Sequence, residues 1–241
     1  ILQSARFSGV LRVPPAKHRP AVVILVPGLD SSKVEFQYAA DALLRRGLAC
    51  LAIDGPGQGE HTPSTTMDSA YHRVISDAVD ALTKEDAVNG NRVGVLGMSL
   101  GGFYTATALA QDPRIAAGSI VSGLFRLRFD QAPPYVAEVL ALRCGGEGAA
   151  RAFADHIDLS HVATKIRQPL RVIEGGRDDT PGVTPAHELA ELARRGELLL
   201  VEEGDHLLGN TTWRWLPGTA DWFADRLRVP AGPRNSPITT P

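Results

Sequence analysis

At 241 residues, with 44% apolar and 22% charged side chains, the chain suits one medium α/β domain with a sizeable core better than two full domains. A formal net charge of −2 gives no electrostatic case for nucleic acid or an anionic membrane, and no apolar stretch is long enough to span a bilayer. The first residues carry no basic-then-apolar leader, and Cys50 and Cys144 have no ligand-like spacing, so a reduced, cytoplasmic setting is expected.

The chain opens on Ile1 rather than Met, so the natural start is expected to have been trimmed. The loosely alternating segment from Ala5 to Val13, broken by Pro14 and Pro15, predicts an edge strand that hairpins into Ala21–Val26. That second run is apolar on both faces, as an interior strand requires. Ser32-Lys33-Val34-Glu35 has capping-box spacing and predicts a helix to about Arg46, ended by Gly47. Leu48–Ile53 reads as the next strand. Asp68 then caps a helix whose Tyr71, Val74, Ile75, Ala78, Val79 and Leu82 fall at helical spacing, and Asn89-Gly90 stops it. Arg92–Leu96 is a strand, a helix runs from Ser99 through Ala110, and Ile115–Val121 is another strand. From Leu124 to Arg167 the alternation lapses, which predicts a small helical insertion able to roof a site. Regular order resumes with a strand at Pro169–Glu174, a helix begun by Thr184-Pro185, a strand at Glu197–Val201 and a final helix holding Trp213, Trp215, Trp222 and Phe223. The expected organisation is one α/β domain over 1–228, with the insertion at about 124–167, and a Pro-rich flexible tail over 229–241.

The chemistry is concentrated at Gly97-Met98-Ser99-Leu100-Gly101, directly behind a strand. This is the G-x-S-x-G elbow, in which a sharp strand-to-helix turn leaves one hydroxyl exposed at its tip. A serine hydroxyl is a weak nucleophile at neutral pH and needs a base, which in turn needs an orienting acid. The acid is sought in Glu174-Gly175-Gly176-Arg177-Asp178-Asp179, where a strand ends at a glycine pair. Asp178 is favoured, with Asp179 the alternative. His206 is the base: among the seven histidines it alone follows a strand in the chain order Ser, acid, His. His18 and His61 precede the elbow in loops, His72 and His187 fall on helices, and His156 and His161 belong to the insertion. The oxyanion hole is expected to use the backbone N–H of Leu100 and one from Val26-Pro27-Gly28-Leu29-Asp30, with Leu29 the expected donor and Asp30 next in line.

With Pro27-Gly28-Leu29, Asp54-Gly55-Pro56-Gly57-Gln58-Gly59-Glu60, the elbow and Gly204-Asp205-His206 all in order, the chain resembles the α/β-hydrolase superfamily over nearly its whole length. The Asp54–Glu60 string is similar to that of the branch holding FrsA-like esterases, 2,6-dihydroxypseudooxynicotine hydrolase and fungal polyketide-shortening hydrolases. The resemblance implies an α/β-hydrolase fold and cleavage of an ester or of a carbon–carbon bond next to a ketone. Enzymes of that branch generally carry an extra N-terminal helical region over the site, whereas this chain begins almost at its first sheet strand.

Other signals carry less. The glycines of 55–59 lack G-x-G-x-x-G spacing and Pro56 blocks a following helix, so a dinucleotide site is not expected; a tight loop at the pocket rim, with Asp54 tying backbone amides, is. His156 and His161 lie five apart, poor spacing for one helix face, so no metal is expected. The three tryptophans read as packing residues. The expected partner is a small ester or ketone substrate, with no cofactor, and self-association as a homodimer stays open. Rival readings are a non-catalytic ligand receptor that reuses a hydrolase pocket, and a peptidase.

Overall fold

Segments that are apolar on both faces become the interior of one large sheet. In the computed structural model, which describes residues 1–180 and 182–228, β3 (Val22–Val26), β4 (Ala49–Asp54) and β5 (Val93–Met98) are buried along their whole length. Two short strands precede them, β1 (Leu2–Gln3) and β2 (Ser8–Arg12), and the others of this sheet are β6 (Ile115–Val121), β8 (Leu170–Gly175) and β10 (Gly196–Val201). Among the described residues the order is β1-β2-β4-β3-β5-β6-β8-β10, parallel from β4 to β10 and antiparallel at β1 and β2.

Alternate residues of β3 point to opposite faces, as the period of two demands. Val22, Ile24 and Val26 join a core with α2 (His72–Thr83) and α3 (Leu100–Gln111). Val23 and Leu25 join a second core with α1 (Gln37–Leu44) and α7 (Thr212–Arg226). The result is the largely parallel sheet flanked by helices expected from the alternation, in the three-layer form that the resemblance to α/β hydrolases implies. At roughly 25 cal/mol per Å² of apolar surface, these two cores supply the main drive to fold. β10, at the far edge, alternates, leaving Leu198 and Leu200 outward.

The segment 124–167 departs from this rhythm. It holds β7 (Leu124–Leu127), α4 (Pro134–Cys144) and α5 (Glu147–Asp155). Pro134 opens α4, where a missing N–H costs nothing, and Gly145 in the left-handed region ends it. β7 pairs antiparallel with β9 (Val183–Pro185), making a two-stranded ribbon that joins the insertion to the segment before α6 (His187–Leu192).

Several sequence expectations are corrected. Ser8–Arg12 does not hairpin into Ala21–Val26; it pairs antiparallel with β4, Ser8 opposite Asp54. The link between those strands contains Pro14, Pro15 and Pro20 and is too long for a tight hairpin turn, so it crosses over instead. Thr184-Pro185 does not start a helix: Val183 and Thr184 are β-branched and pair with β7, and α6 begins at His187. Asp68 accepts from the N–H of Ala70 (2.8 Å) in a turn that leads to α2, whose first residue is His72. The helix expected after Ser32 opens as a 3-10 turn over Lys33–Phe36 before α1 begins, with the N–H of Ser32 donating to Glu35 Oε1 at 3.0 Å. The Pro-rich tail expected at 229–241 lies outside the described residues.

Candidate active site

β5 delivers its last residue, Met98, to the top of the sheet, and α3 begins at Leu100, so Ser99 alone makes the turn. Its φ of 52° and ψ of −120° are strained for a residue with a side chain, at a cost of about 1–3 kcal/mol. Close approach on both sides holds it there. A Cβ added at Gly101 would lie 2.3 Å from the carbonyl oxygen of Val26, and one at Gly97 2.0 Å from that of Gly101, so no larger residue fits. The N–H of Ser99 donates to the carbonyl of Val121 at 2.9 Å.

β8 ends at Gly175, and the N–H of Asp178 donates back to the Gly175 carbonyl (3.1 Å), which turns the Asp178 side chain inward. Asp179 is exposed. After β10 the chain reaches His206 through a loop pinned by Asn210, which accepts from the N–H of Asp205 (3.1 Å) and donates to the carbonyl of Glu203 (2.8 Å). The three side chains meet. His206 Nδ1 lies 2.8 Å from Asp178 Oδ2, and His206 Nε2 lies 3.1 Å from Ser99 Oγ. A carboxylate only accepts, so Nδ1 carries the proton and donates to Asp178. That leaves the Nε2 lone pair to accept from the serine hydroxyl.

Burial pushes the Asp178 carboxyl up, but the hydrogen bond and charge of His206, with the hydroxyls of Ser122 and Thr180, more than offset it. The Asp178 carboxyl is held below the ordinary carboxylate range, ionised where it faces the imidazole ring. Ser122, at the end of β6, also accepts from the N–H of Leu207 at 2.9 Å, so one hydroxyl braces both the Asp178 and the His206 loops. Leu207 and Leu208 have left-handed φ values of 65° and 51°, backbone strain placed immediately after the imidazole. Below Asp178, Glu174 is buried, and its carboxyl is pushed up to about 8 by desolvation and by the Asp178 charge, against the hydrogen bond from the Ala186 N–H.

The loop Pro27-Gly28-Leu29-Asp30 runs beside Ser99, since a Cβ at Gly28 would sit 3.2 Å from Ser99 Cβ. Among the described residues no group accepts from the N–H of Leu29 or of Leu100. A cavity of about 380 Å³ opens onto Ser99 and His206, walled by Leu29, Phe36, Met98 and Leu207 on one side and by Tyr135, Val136, Val139 and Leu140 of α4 on the other. The insertion thus roofs the serine. Asp30 and Glu35 are its acidic members, and no Lys or Arg lines it among the described residues.

Sequence reasoning missed Ser122 and Gln58. The Gly55–Gly59 loop does not line the cavity. It lies behind the Pro27–Leu29 loop, with Gln58 fully buried between them. Asp54 holds the backbone N–H of Lys33 (2.7 Å) and its ammonium (2.8 Å). A polar residue inside a glycine-rich turn was the available signal for Gln58; a serine at the C-terminal end of a parallel strand was the one for Ser122. Among the described residues no group of three His, Cys, Asp or Glu is arranged to hold a metal, and no helix is long and apolar enough to cross a membrane.

Residues 17–145 match the Hydrolase_4 family, described as serine aminopeptidase, S33. The chain is 33% identical to 2,6-dihydropseudooxynicotine hydrolase of Paenarthrobacter nicotinovorans over 90% of its own length and 60% of that protein's. It is 32% identical to hydrolase LUC6 of a Fusarium species, over 53% of this chain and 33% of the other. The crystal structure of a 2,6-dihydroxy-pseudo-oxynicotine hydrolase superposes with a TM-score of 0.84 at 30% identity, covering 92% of this chain and 64% of that one. The chain therefore spans less than two thirds of the length of these relatives. Elbow, sheet order and matched segment agree: the chain belongs to the Hydrolase_4 family of α/β hydrolases.

Proposed function

We propose that the protein cleaves a carboxylic ester through an acyl-enzyme, with Ser99 as nucleophile, His206 as general base and acid, and Asp178 as the acid that orients His206. The observation that carries this reading is the continuous path from Asp178 Oδ2 through His206 to Ser99 Oγ, with links of 2.8 and 3.1 Å, at the floor of a cavity. As Ser99 Oγ bonds to the substrate carbonyl carbon, its proton passes to His206 Nε2 and the carbonyl π pair moves onto oxygen. The N–H groups of Leu29 and Leu100 receive that oxyanion, and each such donor is worth about 10²–10³ in rate. Collapse breaks the bond to the leaving alcohol, which takes the proton from His206. Water repeats the cycle on the acyl-enzyme and frees the acid.

The apolar walls favour a substrate with an aliphatic or aromatic body, and the acidic rim at Asp30 and Glu35 disfavours an anionic one. A reduced, cytoplasmic setting belongs to the same proposal; it rests on two buried cysteines, both free.

A second reading, cleavage of a carbon–carbon bond beside a ketone, is favoured by the identity with 2,6-dihydropseudooxynicotine hydrolase across most of this chain. The same adduct would then expel a stabilised carbanion, which His206 protonates. Turnover of short p-nitrophenyl esters compared with an aromatic 1,3-diketone separates the two. For either, Ser99→Ala is expected to lower kcat by about 10⁴-fold or more and to abolish labelling by a fluorophosphonate, with the fold intact. Turnover near wild type in that variant ends the proposal.

A further inference from the structure

A glycine beside the nucleophile lets the chain approach the substrate oxygen, but it also leaves the adjoining peptide planes free to turn over. In the loop Pro27-Gly28-Leu29 that freedom is removed from behind. Gln58 Nε2 donates to the carbonyl of Gly28 at 3.0 Å and to that of Pro27 at 3.2 Å. Its Oε1 accepts from the N–H of Gly55 (3.2 Å) and from the hydroxyl of Tyr71 (2.6 Å). Two carbonyls on one side and two donors on the other allow only one orientation of the amide. Gln58 and Tyr71 are fully buried, and the Tyr71 ring stacks on Tyr104 with centroids 4.1 Å apart. Rotating the amide would strand several hydrogen-bonding groups away from water.

The carbonyl of Gly28 and the N–H of Leu29 belong to one planar, trans peptide unit and therefore point in opposite directions. Holding the carbonyl toward Gln58 turns the N–H away from it, to the side where Gly28, Leu29 and Ser99 line the cavity. On the basis of the serine-hydrolase reading above, we propose that Gln58 is a positioning residue for the oxyanion hole, which fixes the 28–29 peptide so that the Leu29 N–H faces the reacting oxygen. Without it, a turned-over peptide presents a carbonyl to the developing negative charge, which both removes a donor and adds repulsion.

Gln58→Met keeps length and loses all four hydrogen bonds. With p-nitrophenyl butyrate it is expected to lower kcat about 10²-fold, the loss of one donor, with KM changed less than about threefold. Leu29→Pro, which deletes the N–H itself, is expected to cost a similar factor. The double variant then falls no more than about threefold below the worse single, because both remove one donor. Multiplying losses, or a Gln58→Met kcat within about threefold of wild type, overturn the assignment. Crystal structures of wild type and Gln58→Met supply a readout apart from turnover: the 28–29 peptide is expected to rotate in the variant, and an unchanged plane overturns the proposal. Should Gln58→Met not fold, Tyr71→Phe, which removes only the hydroxyl bond to Oε1 and leaves that of the Gly55 N–H, is expected to lower kcat about threefold at unchanged KM, and a wild-type kcat counts against it. If wild type neither turns over esters nor takes up a fluorophosphonate at Ser99, the serine reading fails by itself, and the peptide plane alone decides whether Gln58 holds the loop.

Discussion

The two flanks of Ser99 are built in opposite ways. Behind the Pro27–Leu29 loop, the flank proposed to receive the oxyanion, Gln58 and Tyr71 are fully buried, Asp54 nearly so, and each of their polar side-chain atoms is paired. On the acid–base side the His206 side chain is 42% exposed, and Leu207 and Leu208 next to it sit in strained backbone. A donor to an oxyanion acts through a fixed direction and gains from a rigid, low-dielectric backing. In the proposed mechanism His206 takes a proton from one oxygen and returns it to another, a task suited to a ring on a strained, exposed loop steadied by Asp178 and Ser122.

The largest test of this contrast lies on the wet side. Asp178→Asn keeps the shape but can hold His206 in the wrong tautomer, and is expected to lower kcat about 10⁴-fold. Asp179→Asn, one residue on and exposed, is expected to stay within about threefold of wild type. Steady-state ester hydrolysis by the two variants checks this, and equal losses would mean that the turn after Gly175 shifts between the two carboxylates.

What the sequence revealed follows the same division. Interior strands such as Val22–Val26 were legible because burial on both faces leaves a continuous apolar run, and the elbow was legible because only glycine fits at 97 and 101. The choice between Asp178 and Asp179 stayed open because the direction of a turn after two glycines is set by tertiary contacts. The ribbon of Leu124–Leu127 with Val183–Pro185 was illegible: its strands are short, and its pairing reaches across the rest of the insertion and β8. From sequence the Gly55–Gly59 loop falls at the rim, because the partners that tie Gln58 to the Pro27–Leu29 loop are backbone carbonyls some thirty residues away, which leave no side-chain pattern to read.

Deeper on the dry side, beyond Gln58, the expected effects are on stability. Lys33 joins Asp54 at 2.8 Å, Glu60 at 2.8 Å and Ser8 at 3.0 Å, fastening the turn before α1 to the end of β4 and to β2. Lys33→Met leaves the Asp54 carboxylate buried and short of its cation, at an expected cost of about 3 kcal/mol in urea unfolding. Glu60→Gln, which removes only the exposed partner, is expected to leave the urea midpoint nearly unchanged. A loss equal to that of Lys33→Met would show that the exposed arm, and not the buried one, holds the junction.

The smallest effect concerns how far dryness reaches beneath the wet side. Glu174 keeps its proton up to about 8 in the folded chain, because burial and the Asp178 charge oppose ionisation. In the unfolded chain the same carboxyl releases it near 4.3. Between those values the folded state binds more protons, so the stabilising contribution, fully present in acid, is lost as pH rises through this window. Glu174→Gln removes that loss and keeps an oxygen for the Ala186 N–H, which donates at 3.1 Å. The variant is expected to match wild type near pH 5 and to melt a few degrees higher near pH 8, a gain of about 1–2 kcal/mol. Thermal scans across that range read it directly: a gap that opens with pH means that water stops at the His206 loop, whereas a gap that stays flat means that it reaches the floor of the acid loop.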